Sequence, residues 1–185
     1  MIIFVGGPWD PIKAKEHADD MRELGKVIAA RGHDLVFGPG SGVVRYTLDG
    51  YRSVPESTRG KVHFYVPHVK EMIRVGEEME DFADEVIETE EDYLDRTVTM
   101  CRTADAFISI MGASGTLFEA IGMMFLKKPV AILKNVGTVG TIGQRIEGIQ
   151  LYAHWGNTVE DLVNYVEEKQ EEMKDHVFEQ EWYNV

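Results

Sequence analysis

Cysteine is nearly absent from this sequence, since Cys101 is the only one among 185 residues. A single thiol cannot form a disulfide within the chain and cannot build a metal cluster from thiolates, which excludes the disulfide-rich secreted class. We expect Cys101 to be a buried small hydrophobe. The six histidines also lack the H-x-x-x-H spacing that places two metal ligands on one helix face, so no metal is predicted.

Long apolar runs are missing as well. Four apolar residues follow Met1 before the first glycine, too few for a secretory signal peptide. No run approaches the ~18 residues that a membrane-spanning helix needs. We therefore expect a cytoplasmic protein with no membrane partner.

Positive charge is scarce, because 19 lysines and arginines stand against 32 acidic residues and give a formal net charge of −13. Such a surface repels a phosphate backbone, so nucleic acid is not expected as a partner. Much of the acidity lies near the C-terminus, in "EEKQEEMKDHVFEQE". A local anion site elsewhere in the chain is therefore compatible with the overall charge.

The length and the 44% of hydrophobic residues fit a single core. We predict one domain over residues 1–173, followed by an acidic tail over residues 174–185. Short apolar runs alternate with longer segments of helical periodicity, which is typical of parallel strands joined by crossover helices. The predicted strands are 2–5, 34–37, 62–66, 85–88, 106–110, 130–133 and a short one at 149–153, and residues 69–83 are predicted to form the helix after the third strand. The fold class that follows is α/β: a Rossmann-like, doubly wound domain with a mainly parallel sheet of six or seven strands flanked by helices.

Ligands of such sheets bind beyond the C-terminal ends of the strands. Four loops are candidates there: 6–11, 38–42, 88–93 and 111–116. In the last loop, "MGASGT", glycines let the backbone approach a ligand, and the helix that follows offers unpaired N–H groups for a phosphate. A tight turn without a ligand explains the same residues. The loop "GPGSG" at 38–42, with Arg45 beyond it, is either a second anion site or a simple turn.

Glu119 lies four residues after Gly115 on an otherwise apolar helix, which points to a use for its carboxylate in the cleft. Arg96 lies on the preceding helix among acidic neighbours. Local sequence alone favours a surface ion pair for that arginine.

The stretch "RTVTMCRTADAFISIMGASGTLFE", residues 96–119, resembles the signature of the lonely-guy (LOG) phosphoribohydrolases, long labelled lysine decarboxylases. That signature reads, in outline, R-K-x-x-M-x-x-x-x-D-A-x-I-x-x-P-G-G-x-G-T-x-x-E. The spacing from Arg96 to Glu119 agrees without a gap. The chain departs from this outline at three positions, where Thr97, Met111 and Ala113 replace lysine, proline and glycine. In addition, Phe118 stands where the family has the first of two adjacent glutamates.

The resemblance implies hydrolysis of the N-glycosidic bond of a nucleoside 5′-monophosphate, without a cofactor, by a homodimer or higher homo-oligomer. The ligand is then a small-molecule nucleotide. Arg96 and Glu119 would be the catalytic residues. The substrate- and phosphate-binding positions would be Gly112, Ala113, Ser114, Gly115, Thr116, Gly38, Gly40, Ser41, Gly42 and Arg45.

Two other functions stay open at this point. The same cleft fits a nucleotide-binding or cofactor-carrying protein without turnover, which the altered loop residues Met111 and Ala113 favour. It also fits a nucleoside deoxyribosyltransferase, in which a carboxylate forms a covalent adduct with the sugar.

Overall fold

The computed structural model describes residues 1–77 and 83–175, and within them seven parallel strands form one sheet. The strand order is β4-β3-β2-β1-β5-β6-β7, with β1 at the centre. The strands are β1 (Ile2–Gly6), β2 (Asp34–Phe37), β3 (Val62–Val66), β4 (Glu85–Glu88), β5 (Ala106–Ser109), β6 (Val130–Leu133) and β7 (His154–Gly156). The predicted α/β fold class is confirmed.

Helices connect the successive strands, α9 follows the last strand, and together they lie on both faces of the sheet. They are α1 (Pro11–Ala14), α2 (Ala18–Ala30), α3 (Gly42–Arg52), α4 (Val69–Val75), α5 (Tyr93–Thr103), α6 (Ser114–Phe125), α7 (Gly137–Ile142), α8 (Glu147–Tyr152) and α9 (Val159–Asp175). None of the helices in the described parts of the chain is both long and apolar enough to cross a membrane.

The core has two layers because side chains of a strand alternate between the faces of the sheet. On β1, Ile3 and Val5 pack into the layer formed with α2, α3 and α9, whereas Phe4 packs into the layer formed with α5 and α6. Cys101 belongs to the second layer and is buried, as expected.

Two glycines allow α2 and α3 to pack in close contact. A Cβ on Gly25 would lie 1.9 Å from the carbonyl oxygen of Thr47, and a Cβ on Gly50 would lie 1.8 Å from that of Arg22. Neither distance is compatible with a side chain, so this helix contact depends on the two glycines.

The predicted strand at 149–153 is wrong. Residues Glu147–Tyr152 form α8, in which Ile149 is buried while Leu151 is 66% exposed, and the last strand is His154–Gly156. Of the two segments, His154–Gly156 is the one that pairs with β6, and His154 lies opposite Ala131. A short apolar run fits a strand and a helix equally well, and pairing decides between them.

Two further predictions fall partly outside the described residues. The helix expected over residues 69–83 ends at Val75, because Gly76 adopts the left-handed conformation (φ 66°) that stops helices, and residues 78–82 are not described. The acidic tail was predicted from residue 174. Helix α9 continues through Asp175, and residues 176–185 are not described.

Candidate functional site

A cleft of about 930 Å³ opens at the C-terminal ends of the central strands. It lies where β1 neighbours both β2 and β5, the point at which the strand order reverses direction. Open α/β sheets bind their ligands at such a switch point. The lining comes from the loops that follow β1, β2 and β5 and from helices α5 and α6.

Arg96 and Glu119 both line this cleft. Arg96 is 7% exposed, its Nη1 donates a long hydrogen bond of 3.5 Å to the carbonyl of Tyr65, and its guanidinium lies 5.2 Å from the ring centre of Tyr93. Within the described residues, no carboxylate lies within 4 Å of the guanidinium and the buried Nε has no hydrogen-bond partner. Arg96 is therefore not the surface ion pair that local sequence favoured. Its side chain lies in the cleft lining with one nitrogen, Nε, left without a partner among the described residues.

Glycines make room for these two side chains. A Cβ on Gly38 would lie 1.7 Å from Nη1 of Arg96, and a Cβ on Gly6 would lie 2.9 Å from Oε2 of Glu119. Gly38, a predicted ligand-binding residue, therefore also makes room for the arginine side chain. Gly6 was not named as a site residue, although it directly follows the apolar residues of β1.

The protonation of Glu119 follows from its surroundings. Burial raises the pKa of its carboxyl to about 8, and the nearby charge of Arg96 opposes this shift. Burial lowers the pKa of Arg96, while Glu119 and Glu77 raise it. At neutral pH a guanidinium keeps its proton, so the Arg96 cation lies in the cleft with a Glu119 carboxyl that is mostly neutral.

The loop before α6 leads into an open helix N-terminus. Gly112 has φ 102°, and a Cβ there would lie 2.4 Å from Oγ1 of Thr116, so this position requires glycine. Thr116 is buried and donates a hydrogen bond of 3.2 Å to the carbonyl of Gly7, which ties α6 to the loop after β1. Met111 also adopts a left-handed conformation (φ 65°), and its carbonyl accepts a hydrogen bond from Ser109.

The first residues of α6 lie in the lining of the cleft. Ala113, Ser114 and Gly115 are exposed and line it. The described residues provide α6 with no side-chain N-cap, and its first turn carries no acid. The first backbone N–H with a carbonyl partner is that of Leu117, which donates to Ala113 at 2.9 Å. The three N–H groups before it are the ones that a helix leaves for a cap, a solvent molecule or an anion.

The loop at 38–42 meets the cleft only in part. Gly38 and Gly40 line it, whereas Ser41, Gly42 and Arg45 do not. The N–H groups at the start of α3 are already used, since Gly42 donates to the carbonyl of Trp9 at 2.8 Å. Arg45 is exposed on α3 outside the lining.

Other lining residues escaped the sequence analysis. Tyr93 donates a short hydrogen bond from its hydroxyl to the carboxylate of Glu77. Burial raises the pKa of Glu77, opposed by this hydrogen bond and by Arg96. Glu77 was not predicted as a site residue because residues 69–83 were predicted to form one helix. Trp9 also lines the cleft, in a loop that was named as a candidate without choosing a residue.

No metal centre accompanies the cleft in the parts of the chain that can be described. Within residues 1–77 and 83–175, no three histidine, cysteine, aspartate or glutamate side chains come together in a way that could hold a metal ion.

The chain is similar in sequence to a protein family and to an individual relative. Residues 1–163 match the model of the SLOG cluster4 family. An uncharacterised protein of Archaeoglobus fulgidus is 31% identical over 142 residues, which cover 77% of this chain and 80% of the relative.

Solved structures share the fold. The protein TM1055 has 26% sequence identity and a TM-score of 0.75, with 90% of this chain and 98% of that chain covered. The molybdenum cofactor carrier protein of Chlamydomonas reinhardtii has 23% identity and a TM-score of 0.69, with 90% and 96% covered. The molybdenum cofactor binding protein of Rippkaea orientalis has 21% identity and a TM-score of 0.70, with 91% and 96% covered.

Proposed function

The chain belongs to the SLOG cluster4 family, and from that premise we propose that its cleft binds a phosphate-bearing small molecule of the nucleotide class and holds it without cleaving it. The observation that carries the proposal is the N-terminus of α6, which has no side-chain cap and lies in the lining of the same cleft as the buried cation of Arg96. Backbone N–H groups and the positive end of a helix dipole favour a phosphate at this place.

Two residues that differ from the LOG family favour binding of the ligand over its cleavage. Thr97, which replaces a lysine of the LOG signature, donates its hydroxyl to the carbonyl of Tyr93 at 2.8 Å and so brings no charge to the cleft. Phe118, which replaces the first of two glutamates, is an exposed apolar side chain in the lining. The shared fold with two proteins named for binding or carrying the molybdenum cofactor also supports a carrier role.

The proposal is tested by calorimetric titration with AMP, adenosine and ribose 5-phosphate. We expect AMP to bind at least roughly tenfold more tightly than adenosine, because hydrogen bonds to a charged group each contribute about 1.5–3 kcal/mol. Equal affinity for AMP and adenosine would refute a phosphate site.

Ser114 offers a matched pair of variants for the same titration. It is the first residue of α6, a position at which proline is tolerated and removes one N–H group. Ser114→Pro should weaken AMP binding roughly tenfold, whereas Ser114→Ala keeps the N–H and should bind like the wild type. If the alanine variant loses as much affinity as the proline variant, the backbone N–H is not the phosphate ligand.

A second candidate function is hydrolysis of the N-glycosidic bond, and one observation favours it. With a pKa near 8, the Glu119 carboxyl holds at neutral pH a proton that it can donate to a leaving base. Chromatography after incubation with AMP separates the two functions. Intact AMP supports binding alone, and release of adenine that Glu119→Gln abolishes would replace the binding proposal with hydrolysis.

A further inference from the structure

Exposed apolar side chains gather at the rim of the cleft. Trp9 is 71% exposed, Leu94 57%, Val75 48% and Phe118 40%, and all four line the same opening. Single exposed hydrophobic residues are normal on a protein surface, but a group around one cleft indicates a ligand with an apolar part. Trp9 is the largest of them and the most exposed.

The backbone that carries Trp9 is held in place. Its carbonyl accepts a hydrogen bond of 2.8 Å from the N–H of Gly42, and the preceding carbonyl, of Pro8, accepts one of 2.8 Å from Val43. A Cβ on Gly42 would lie 1.9 Å from the Pro8 oxygen, so the loop lies directly against the start of α3. On the other side, Asp10 accepts a hydrogen bond from the N–H of Ile12 and caps α1. Because the backbone of this loop is already fixed, ordering it costs little conformational entropy when its side chain contacts a ligand.

The same loop is joined to the phosphate site. The carbonyl of Gly7 accepts a hydrogen bond from Thr116 in the first turn of α6. Trp9 follows Gly7 by two residues, which places their Cα atoms at most about 7 Å apart. Trp9 and the N-terminus of α6 therefore lie in neighbouring parts of one cleft lining, where a single ligand can contact both.

We infer that Trp9 is a stacking platform for the planar heterocycle of the ligand, so that the cleft selects molecules that combine a phosphate with a flat aromatic ring system. This inference rests on the proposed function. Stacking uses the face of a ring rather than its hydrogen-bonding edge, and it is accordingly tolerant of the base. AMP and GMP should therefore bind with affinities within roughly fivefold of each other.

The test compares AMP, which has a base, with ribose 5-phosphate, which has none. Trp9→Ala should weaken AMP binding roughly 5- to 100-fold, the range observed when a stacking aromatic is removed. Binding of ribose 5-phosphate should stay within about twofold of the wild type, because it makes no stacking contact. Trp9→Phe should restore most of the AMP affinity, and the wild type should show fluorescence quenching by AMP that Trp9→Phe lacks.

Ile12→Ala is the matched control, since Ile12 is 83% exposed on the adjacent helix and does not line the cleft. It should leave AMP affinity unchanged. The inference is overturned if Trp9→Ala weakens AMP and ribose 5-phosphate equally, if it weakens neither, or if Ile12→Ala has the same effect.

Failure of the inference and failure of the proposed function give different results. If wild-type protein binds AMP no more tightly than ribose 5-phosphate, the phosphate site stands and the stacking platform is refuted. If neither compound binds, the proposed function is refuted and the inference with it.

Discussion

Replacing Glu119 by glutamine tests the buried carboxyl of the cleft through the free energy of unfolding. The folded protein holds the proton of Glu119 up to about pH 8, whereas the unfolded chain releases it near the ordinary glutamate value of 4.5. Between these values the folded state binds more protons than the unfolded state, so this group makes the protein less stable as the pH rises. Glutamine has a similar shape and does not titrate.

The size of the effect follows from the shift. Each unit of difference between the pKa values of Glu119 in the folded and unfolded protein corresponds to about 1.4 kcal/mol. A pH of about 7 lies between these two pKa values. We therefore expect Glu119→Gln to be about as stable as the wild type near pH 4.5 and about 3 kcal/mol more stable near pH 7. The difference should stop growing above about pH 8, where both states of the wild type have released the proton.

Urea denaturation followed by circular dichroism at a series of pH values measures this difference. Glu23→Gln makes the same chemical change at an exposed position of α2 and serves as the matched control. A stability difference for Glu119→Gln that does not vary with pH, or a variant that becomes less stable than the wild type as the pH rises, would show that the folded protein does not raise the pKa of Glu119. The second result would mean that Glu119 is charged and stabilised by Arg96.

Three further predictions concern packing, capping and assembly. Gly25→Ala should lower the free energy of unfolding by about 1–2 kcal/mol, because steric overlap with α3 outweighs the better helix propensity of alanine. Gly148 has open space around it, so Gly148→Ala should be neutral or stabilising. Urea denaturation checks both. Lys128→Met should cost roughly 2 kcal/mol in the same assay, because the Lys128 ammonium donates to three backbone carbonyls at the end of α5 at 2.5–2.9 Å. The homo-oligomer implied by the LOG resemblance stays a prediction: light scattering should give a multiple of 20.9 kDa, and Phe125→Asp, at an 84% exposed position of α6, should shift the mass towards the monomer.

Much of the fold could be predicted because it depends on local patterns. Alternating apolar runs and helical segments located six of the seven strands within a residue or two at either end. The seventh could not be placed, since the run around Ile149 has no local feature that separates a helix from a strand. Its neighbour His154 is in a strand only because it pairs with β6.

The candidate site was predictable where it depends on spacing along the chain. Arg96 and Glu119, which the LOG resemblance singled out, both line the cleft. Gly42 is different, because its N–H bonds to the carbonyl of Trp9, far away in sequence. The raised pKa of Glu119 likewise arises from burial in the folded protein, which no local pattern reports.

An NMR titration of ¹⁵N-labelled protein with AMP and, separately, with adenosine tests the proposed phosphate site most directly. AMP should shift the amide resonances of Ser114, Gly115 and Thr116 in a saturable way, because these N–H groups bind the phosphate, and adenosine should leave them nearly unchanged. The phosphate site is refuted if AMP leaves these three resonances in place, or if adenosine moves them as far as AMP does.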